Sequence, residues 1–384
     1  MLSPQRHCSK KESILLQKHL KLQGISKLYV VGNLKKSFLR KPGPGMILKG
    51  ISAFDLNPQK SIIIGDQVSD VLAGQKANLS LRKVEQQTIL DTTSAYFDLI
   101  FKNKNEKFNL SNVNLFERQV ESDSARLQKG EITLTDLAQS ESSLAGANAN
   151  LIKAKTELLS SIRNFERITG EKVPSFENLN QKVLIDLPST LNSSLEQASL
   201  KNLALLISKL DYEISAKELN IERARLSPKA SIKVSKSENK DFSSTIDEKD
   251  DETVKATISW PIIKGGENIS SIKKSSLEKQ RFQLLFKDTK NKVLSDTSNS
   301  WSNYQSSKSV LDATKAQLKA AEIANEGITL EYDSGNTRTT LEVIQSRSLL
   351  LEARIAYSKA QRDFVVSQFE LAKQLGTLSQ NSVE

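Results

Sequence analysis

The chain has little cysteine, proline or aromatic residue, and it lacks a long uncharged apolar run. One cysteine among 384 residues excludes an intramolecular disulfide framework and a clustered-thiolate zinc site. Eight prolines and 5% aromatic residues favour a mostly helical structure. No apolar run is long enough for a transmembrane helix. The first residues also lack the apolar core of a secretory signal peptide, so no cleavable leader is expected here.

The net charge of +10 is concentrated near the amino terminus. Residues 1–50 hold eleven lysines and arginines and a single acid, Glu12, and the remainder of the chain carries equal numbers of basic and acidic residues. The basic segment has only Tyr29 as an aromatic before Phe38, so it offers no stacking platform of the kind that single-strand binders use. We therefore expect no nucleic-acid partner, and the charge change indicates that the first segment has a separate origin.

The longest regular pattern runs over residues 268–378. Apolar residues recur there at spacings of three, four and seven on both sides of one short break, Ser334-Gly335-Asn336. No proline interrupts either arm, which predicts an antiparallel helical hairpin with arms of about 50 Å or more. Such a hairpin cannot bury its apolar face alone, so it needs further helices beside it.

Residues 83–186 predict a similar hairpin with its break at Lys129-Gly130-Glu131 and its end at Gly170. The two hairpins align with an offset of 205 at the tip glycines, Gly130 and Gly335, and of 206 afterwards. This pattern indicates an internal duplication rather than a solenoid, because the period is too long. Tandem hairpins of this kind pack their apolar seams together.

Between the hairpins, residues 195–225 predict one helix, followed by two strands near residues 229–236 and 253–261. Both strands alternate apolar and polar residues, and a charged loop over residues 238–252 is expected to join them. Trp260 at the end of the second strand is typical of an interfacial aromatic in a membrane β-barrel. A soluble β-hairpin that caps a helical bundle fits the same pattern.

In the first segment, residues 28–31 and 61–64 are short β-rich runs. The second leads directly into Asp66 and Asp70, and carboxylates after a buried parallel strand are well placed for Mg²⁺. The motifs Arg40-Lys41-Pro42-x-Pro44-Gly45-Met46 and Gly65-Asp66-x-x-Ser69-Asp70-x-x-Ala73-Gly74 resemble the late motifs of haloacid-dehalogenase-type phosphatases, in their heptose-bisphosphate and histidinol-phosphate branch.

The resemblance to these phosphatases implies that Lys41 steadies a phosphoryl group and that Asp66 and Asp70 serve Mg²⁺. The family's nucleophile belongs to an early Asp-x-Asp motif, but the first aspartate of this chain, Asp55, comes after Lys41. Without that carboxylate there is no aspartyl-phosphate route. We expect residues 1–80 to be an incomplete, inactive α/β fragment, with vestigial phosphate and metal positions and no cofactor unless the fragment still binds Mg²⁺.

From residue 83 onward the chain resembles the TolC-type outer-membrane efflux and secretion channels. The most telling motifs are Gly130-Glu131-x-Thr133-x-Thr135-Asp136-Leu137-Ala138-Gln139 and Tyr332-x-x-Gly335-Asn336-Thr337-Arg338-Thr339. The resemblance implies a homotrimer with a β-barrel in the outer membrane and a long α-barrel in the periplasm. It also implies an iris-like gate at the hairpin tips, and partnership with a periplasmic adaptor and an inner-membrane pump.

By position, the resemblance assigns the tip gate to Asp136, Tyr332 and Arg338, where an Asp–Arg pair is directional and still releasable. Solvated charges at a helix end are the alternative interpretation. Glu342 occupies one position of an acidic constriction ring and Gln345 the other, which argues against a strong cation-binding ring.

The expected fold class is mainly α: long antiparallel helical hairpins of α-barrel type, one strand pair of outer-membrane β-barrel type, and a small incomplete α/β segment. We predict domains at residues 1–80, 83–186 (a truncated first repeat) and 187–378, followed by a tail at 379–384. The strands and helix that open the family's first repeat are replaced by the phosphatase-like segment. We therefore hypothesise a gene fusion or deletion.

The predicted function is a passive, non-enzymatic outer-membrane conduit for efflux or type I secretion. A phosphatase fragment and a soluble helical scaffold remain the alternatives. The transported substrate is not encoded in these motifs.

Overall fold

A computed structural model describes residues 45–54, 68–173, 176, 185–243, 246–260, 262, 265–334 and 338–379. The structure is mainly α-helical, with one antiparallel strand pair. Its elements, in chain order, are α1 (Gly45–Phe54), α2 (Val68–Gln128), α3 (Leu134–Thr169), α4 (Leu191–Lys201), α5 (Leu203–Ala224), β1 (Lys229–Ser243), β2 (Ile246–Ser259), α6 (Glu267–Asp333) and α7 (Thr340–Leu375). The predicted strands at residues 28–31 and 61–64 lie outside the described residues.

Two long helices are each followed by a shorter partner. Helices α2 and α6 have 61 and 67 residues, and α3 and α7 have 36 each. At about 1.5 Å per residue the shorter pair reach about 54 Å, so the predicted arm length is confirmed. None of the described helices is long and apolar enough to cross a membrane.

The two hairpins begin and end their second helices in the same way. Thr133 caps α3 and Thr339 caps α7, each through a reciprocal capping box. Gly170 and Gly376 end these helices in the left-handed conformation. These two matched pairs, each at an offset of 206, agree with the duplication that the sequence predicts.

The chain divides into two compact units. The helical unit comprises Arg82–Leu205 and Thr289–Glu384, and the strand-bearing unit comprises Met1–Leu81 and Leu206–Asp288. The core of the helical unit is a series of apolar clusters along α2, α3 and α7. One cluster joins Phe116, Leu151 and Ile344, and another joins Leu90, Phe369 and Leu378.

The predicted helix over residues 195–225 is divided at Asn202. Its backbone is extended, with φ −61° and ψ 123°, and its amide N–H donates to the carbonyl oxygen of Ala198. The side-chain oxygen accepts from the backbone N–H groups of Ala204 and Leu205, at 3.0 and 3.1 Å, and so caps α5. The expectation of one uninterrupted helix was wrong because a single residue provides both caps.

In the strand-bearing unit, the strands are longer than predicted. The residues expected to form a charged loop continue the ladder, with Lys236 opposite Glu252 and Glu238 opposite Asp250. One face near the base is apolar, because Ile232, Val234, Val254 and Ile258 all lie on it and are exposed. The indole N–H of Trp260 donates to the carbonyl oxygen of Leu226 at 3.0 Å.

Helix α2 begins at Val68 and continues through the domain boundary expected at residues 80–83. In the strand-bearing unit, the first turns of α2 pack closely, since Ala73 and Ala77 are almost completely buried. Lys76 forms an ion pair with Asp211 of α5. The end of the phosphatase-like segment is therefore part of the same helix as the first hairpin.

Candidate functional site

The tip of the first hairpin is a tight turn between α2 and α3. Gly130 has a φ of +73°, a left-handed conformation that glycine adopts at little cost, and its N–H donates to the carbonyl oxygen of Leu127 at 2.9 Å. The ion pair between Arg126 and Glu131 spans the same turn at 3.7 Å. Gly335, the predicted tip residue of the second hairpin, lies outside the described residues.

Asp136 lies in the first turn of α3 and serves the capping box. Its carboxylate accepts from the backbone N–H of Thr133 at 2.9 Å and from the Thr133 hydroxyl at 2.8 Å. These two hydrogen bonds, the backbone one first, hold the pKa of Asp136 below its usual value. Asp136 is thus an ionised group at a helix amino terminus, where the helix dipole favours negative charge.

Glu342 occupies the equivalent position in α7 and has a second role. Its carboxylate accepts from the Thr339 N–H at 2.8 Å and also pairs with Arg338 at 2.9 Å. The Thr339 N–H first, and then Arg338, hold the pKa of Glu342 below its usual value. The predicted constriction residue is therefore an ionised carboxylate that already has a cationic partner.

Arg338 lies between two carboxylates of its own hairpin. Its Nε donates to Glu331 at 2.6 Å, and its other partner is Glu342. The hydrogen bond to Glu331 is the main cause that raises the pKa of Arg338 above its ordinary value. Within the described part of this single chain, Asp136 and Arg338 therefore have separate partners.

Tyr332 is buried near the end of α6, with 6% of its surface exposed. Its hydroxyl donates to Asp123 at 2.9 Å and lies 3.1 Å from the Thr340 hydroxyl. The Arg126 guanidinium stacks over its ring at 4.4 Å from the centroid. The tyrosine thus has a carboxylate partner on α2.

Sequence reasoning missed Asp123 and the polar groups around it. The Asp123 carboxylate also accepts from Gln119 at 2.9 Å and from the Ser140 hydroxyl of α3. Arg347 of α7 donates to Gln119 at 3.0 Å, and burial lowers its pKa, while the charges of Asp333 and Asp123 act in the opposite direction.

A signal for this network was present in the sequence. Polar residues occupy core-facing helical positions with spacings of three and four: Asn109, Asn112, Gln119 and Asp123, with Phe116 among them.

The vestigial phosphatase residues are only partly visible. Lys41 and Asp66 lie outside the described residues, and Asp70 lies in the first turn of α2, where its side chain is not described. Among the described residues, no group of three or more potential ligands could hold a metal ion. The assignment of Lys41, Asp66 and Asp70 to phosphate and Mg²⁺ remains a prediction.

The capping box makes the start of α3 sensitive to acid. Because the pKa of Asp136 is lowered in the folded chain, its charge contributes fully to folding stability when the pH is above the unfolded-state pKa of about 3.9. The contribution is lost as the pH falls through the lower folded value. We expect the stability difference between wild type and Asp136→Asn to be constant at pH 5–7 and to decrease as the pH falls below the unfolded value.

Urea unfolding at each pH measures this difference, because the subtraction removes the acid response of the other groups. A difference that stays unchanged down to pH 2 would show that the Asp136 charge does not stabilise the helix start.

Two sequence families match separate parts of the chain. Residues 194–377 match the family described as outer membrane efflux protein, and residues 8–84 match the haloacid dehalogenase-like hydrolases. The outer membrane efflux protein BepC of Brucella suis is 23% identical over 301 residues, which are 78% of this chain and 65% of BepC. The outer membrane protein TolC of Escherichia coli is 21% identical over 345 residues, or 86% of this chain and 69% of TolC.

The amino-terminal match is short. The D-glycero-alpha-D-manno-heptose-1,7-bisphosphate 7-phosphatase of Campylobacter jejuni is 44% identical over 55 residues, which are 14% of this chain and 32% of that protein. The chain therefore shares only a part of the phosphatase, and it spans about two thirds of the efflux relatives.

Solved structures show the same fold at low identity. CusC has a TM-score of 0.67 with 15% identity, covering 80% of this chain and 72% of CusC. The open state of the MtrE outer membrane channel of Neisseria gonorrhoeae has a TM-score of 0.67 with 14% identity, covering 81% of this chain and 72% of that channel. The chain therefore joins a region similar to the outer membrane efflux proteins, over residues 194–377, to an amino-terminal region similar to the haloacid dehalogenase-like hydrolases, over residues 8–84.

Proposed function

We propose that the chain is a passive outer-membrane channel component for efflux or type I secretion. The observation that carries this proposal is the agreement of the family match over residues 194–377 with the fold similarity to outer-membrane channels. The long helical hairpins supply walls of the kind an α-barrel needs. No step in this function requires catalysis.

We propose that β1 and β2 form part of an outer-membrane β-barrel. Their apolar face, which carries Ile232, Val234, Val254 and Ile258, suits contact with lipid, while Lys233 and Lys255 lie opposite each other on the other face. Two strands leave both edges unpaired, and edges must be closed within a bilayer. The missing strands would come from further copies, in a homotrimer that spans the outer membrane and reaches into the periplasm.

The hairpin tips would form the periplasmic gate and the contact for an adaptor and an inner-membrane pump. Asp136, Arg338 and Glu342 support this role because each is ionised and lies at an exposed helix start or turn. Their present partners are within the chain: Thr133 for Asp136, and an ion pair between Arg338 and Glu342 that a contact to another copy would exchange for a new one. Such an exchange costs little at a solvated surface.

The membrane location can be tested with a matched pair of variants. Ile232→Lys places a charge on the apolar face, and Ser231→Lys places the same charge on the opposite face. A lysine that faces lipid costs about 2–4 kcal/mol at mid-membrane. We expect wild type and Ser231→Lys in the outer-membrane fraction, where they restore dye efflux to a strain without its own channel.

Ile232→Lys should fail in both measurements. If all three proteins stay in the soluble fraction and restore no efflux, the channel function is contradicted and the helical scaffold is favoured.

We also propose that the phosphatase-like segment reached its position by gene fusion or deletion. The continuous helix across residues 68–128 supports a fused chain, because the junction is within one regular element. Mass spectrometry of membrane fractions should detect a peptide that spans residues 79–83. Detection of efflux-domain peptides that begin after residue 83, without any junction peptide, would contradict an expressed fusion.

A further inference from the structure

A buried polar cluster joins the two hairpins near their tips. Asp123, fully buried at 0% exposure, lies at its centre. Its carboxylate oxygens accept hydrogen bonds from Gln119 of α2, Ser140 of α3 and Tyr332 of α6. The Thr340 hydroxyl of α7 lies beside the Tyr332 hydroxyl. We call Asp123 and these four residues the Asp123 cluster. All four helices of the two hairpins therefore contribute to one polar centre in the helical unit.

The buried Asp123 carboxylate depends on its hydrogen bonds for stability. A carboxylate that loses water is unfavourable unless hydrogen bonds replace its solvation. Here Oδ1 of Asp123 accepts hydrogen bonds from Gln119 and Tyr332, and Oδ2 accepts one from Ser140. If the hairpins separated, Asp123 would lose the Tyr332 hydrogen bond and keep those from Gln119 and Ser140 of its own hairpin. Removing one partner of a buried charge costs more than the hydrogen bond contributes when formed.

Two arginines lie beside the cluster. The Arg126 guanidinium covers the ring of Tyr332, and Arg347 of α7 donates to the Gln119 amide oxygen. Arg347 also donates to the carbonyl oxygen of Leu115 at 3.3 Å, which ties α7 directly to α2. Residues of α2 therefore contact Tyr332 twice: Arg126 covers its ring and Asp123 accepts from its hydroxyl.

We propose that Asp123 is the positioning residue of the tip, which holds the two hairpins together through Tyr332. This inference rests on the proposed channel function, where opening means movement of one hairpin tip against the other. Rupture of the Asp123–Tyr332 hydrogen bond is then the step that opening requires. Within this chain, Asp136 caps the start of α3 and Arg338 pairs with Glu331 of its own hairpin, so neither joins the two hairpins.

Two variants remove single groups from the cluster, and two others serve as controls. Tyr332→Phe removes only the hydroxyl, and Asp123→Asn removes the charge while keeping the shape. Glu121→Gln removes an exposed carboxylate two residues away on α2, and Tyr304→Phe removes a hydroxyl from a half-buried ring on α6. Tyr304→Phe is the control for Tyr332→Phe, since both remove a hydroxyl from α6. Glu121→Gln is the control for Asp123→Asn, since both convert a carboxylate of α2 to an amide.

Hydrogen exchange and channel recording measure different consequences of these changes. In the full chain, we expect Tyr332→Phe and Asp123→Asn to speed amide exchange in the first two turns of α3 and α7 by about tenfold. The double variant should be no faster than Asp123→Asn, because both changes break the same link. In planar bilayers both variants should raise the open fraction of the channel, and the controls should match wild type.

Two results would overturn the inference. One is that the effects of Tyr332→Phe and Asp123→Asn add in the double variant. The other is that the exchange rate and the open fraction are unchanged in Asp123→Asn but increase in Asp136→Asn. A wild-type chain that conducts no current contradicts the channel function itself. In that case, the exchange measurement alone decides whether Asp123 joins the hairpins.

Discussion

Replacing Gly376 with alanine is expected to destabilise the helical unit by about 2–4 kcal/mol. Gly376 ends α7 at a φ of +73°, and a Cβ there would lie 2.1 Å from the carbonyl oxygen of Lys201 and 2.6 Å from its carbonyl carbon. The obstructing atoms are backbone, so no side-chain rotation can relieve the clash. The side chain of Asn202 holds the same backbone in place by donating to the carbonyl oxygen of Gln374 at 2.8 Å.

Gly170 provides the matched control, because it ends α3 at a φ of +74° with nothing within 4 Å of a built Cβ. Gly170→Ala should therefore cost only the conformational strain, about 1 kcal/mol. Urea unfolding followed by circular dichroism measures both variants. Equal destabilisation of the two would show that the close approach of α7 to Lys201 does not contribute.

Replacing Phe369 with alanine is expected to cost about 3–5 kcal/mol of unfolding free energy. Phe369 is fully buried, at 0% exposure, where it packs against Leu90 of α2 and against Ala372 and Leu378 beyond it. Removal of the ring leaves a cavity at the point where the two helices meet, and cavities in close-packed interiors refill only in part.

The control for Phe369 is on the same helix. Leu349 of α7 is 62% exposed, so Leu349→Ala should change the stability by less than about 0.5 kcal/mol. Urea unfolding measures this pair under the same conditions as the glycine pair. A loss at Phe369 no larger than that at Leu349 would contradict the packing of α7 against α2.

Much of the helical architecture was predictable from local chemistry. The helices α3 and α7 begin at threonine caps and end at glycines, and both signals are read from neighbouring residues. The long arms follow from apolar spacing without proline. These features are local, so they need no knowledge of which helices lie side by side.

The features that sequence reasoning missed depend on contacts between distant residues. Asp123 and Tyr332 are 209 residues apart, and only the packed hairpins bring them together. The strands β1 and β2 extend beyond their predicted ends. Their outer parts were missed because both faces there carry polar residues, so the sequence lacks the alternation that marks a half-buried strand. Asn202 breaks a helix whose periodicity continues on both sides of it.

The phosphatase-like segment and the efflux-protein-like region share a helix rather than a linker. The hydrolase match ends at residue 84, while α2 begins at Val68 and continues to Gln128. The helix continues without a break across this junction, and Ala73 and Ala77, about one turn apart before it, are both buried. The junction is therefore compatible with a folded fusion.

Single-channel recording across a planar lipid bilayer tests the proposed channel most directly. The purified full-length chain is predicted to give stable, discrete current steps, and Ser231→Lys should give the same steps. Ile232→Lys, which charges the apolar strand face, should give none. A chain that is helical and folded by circular dichroism but remains a monomer, and gives no current steps in any of the three forms, would contradict the channel function.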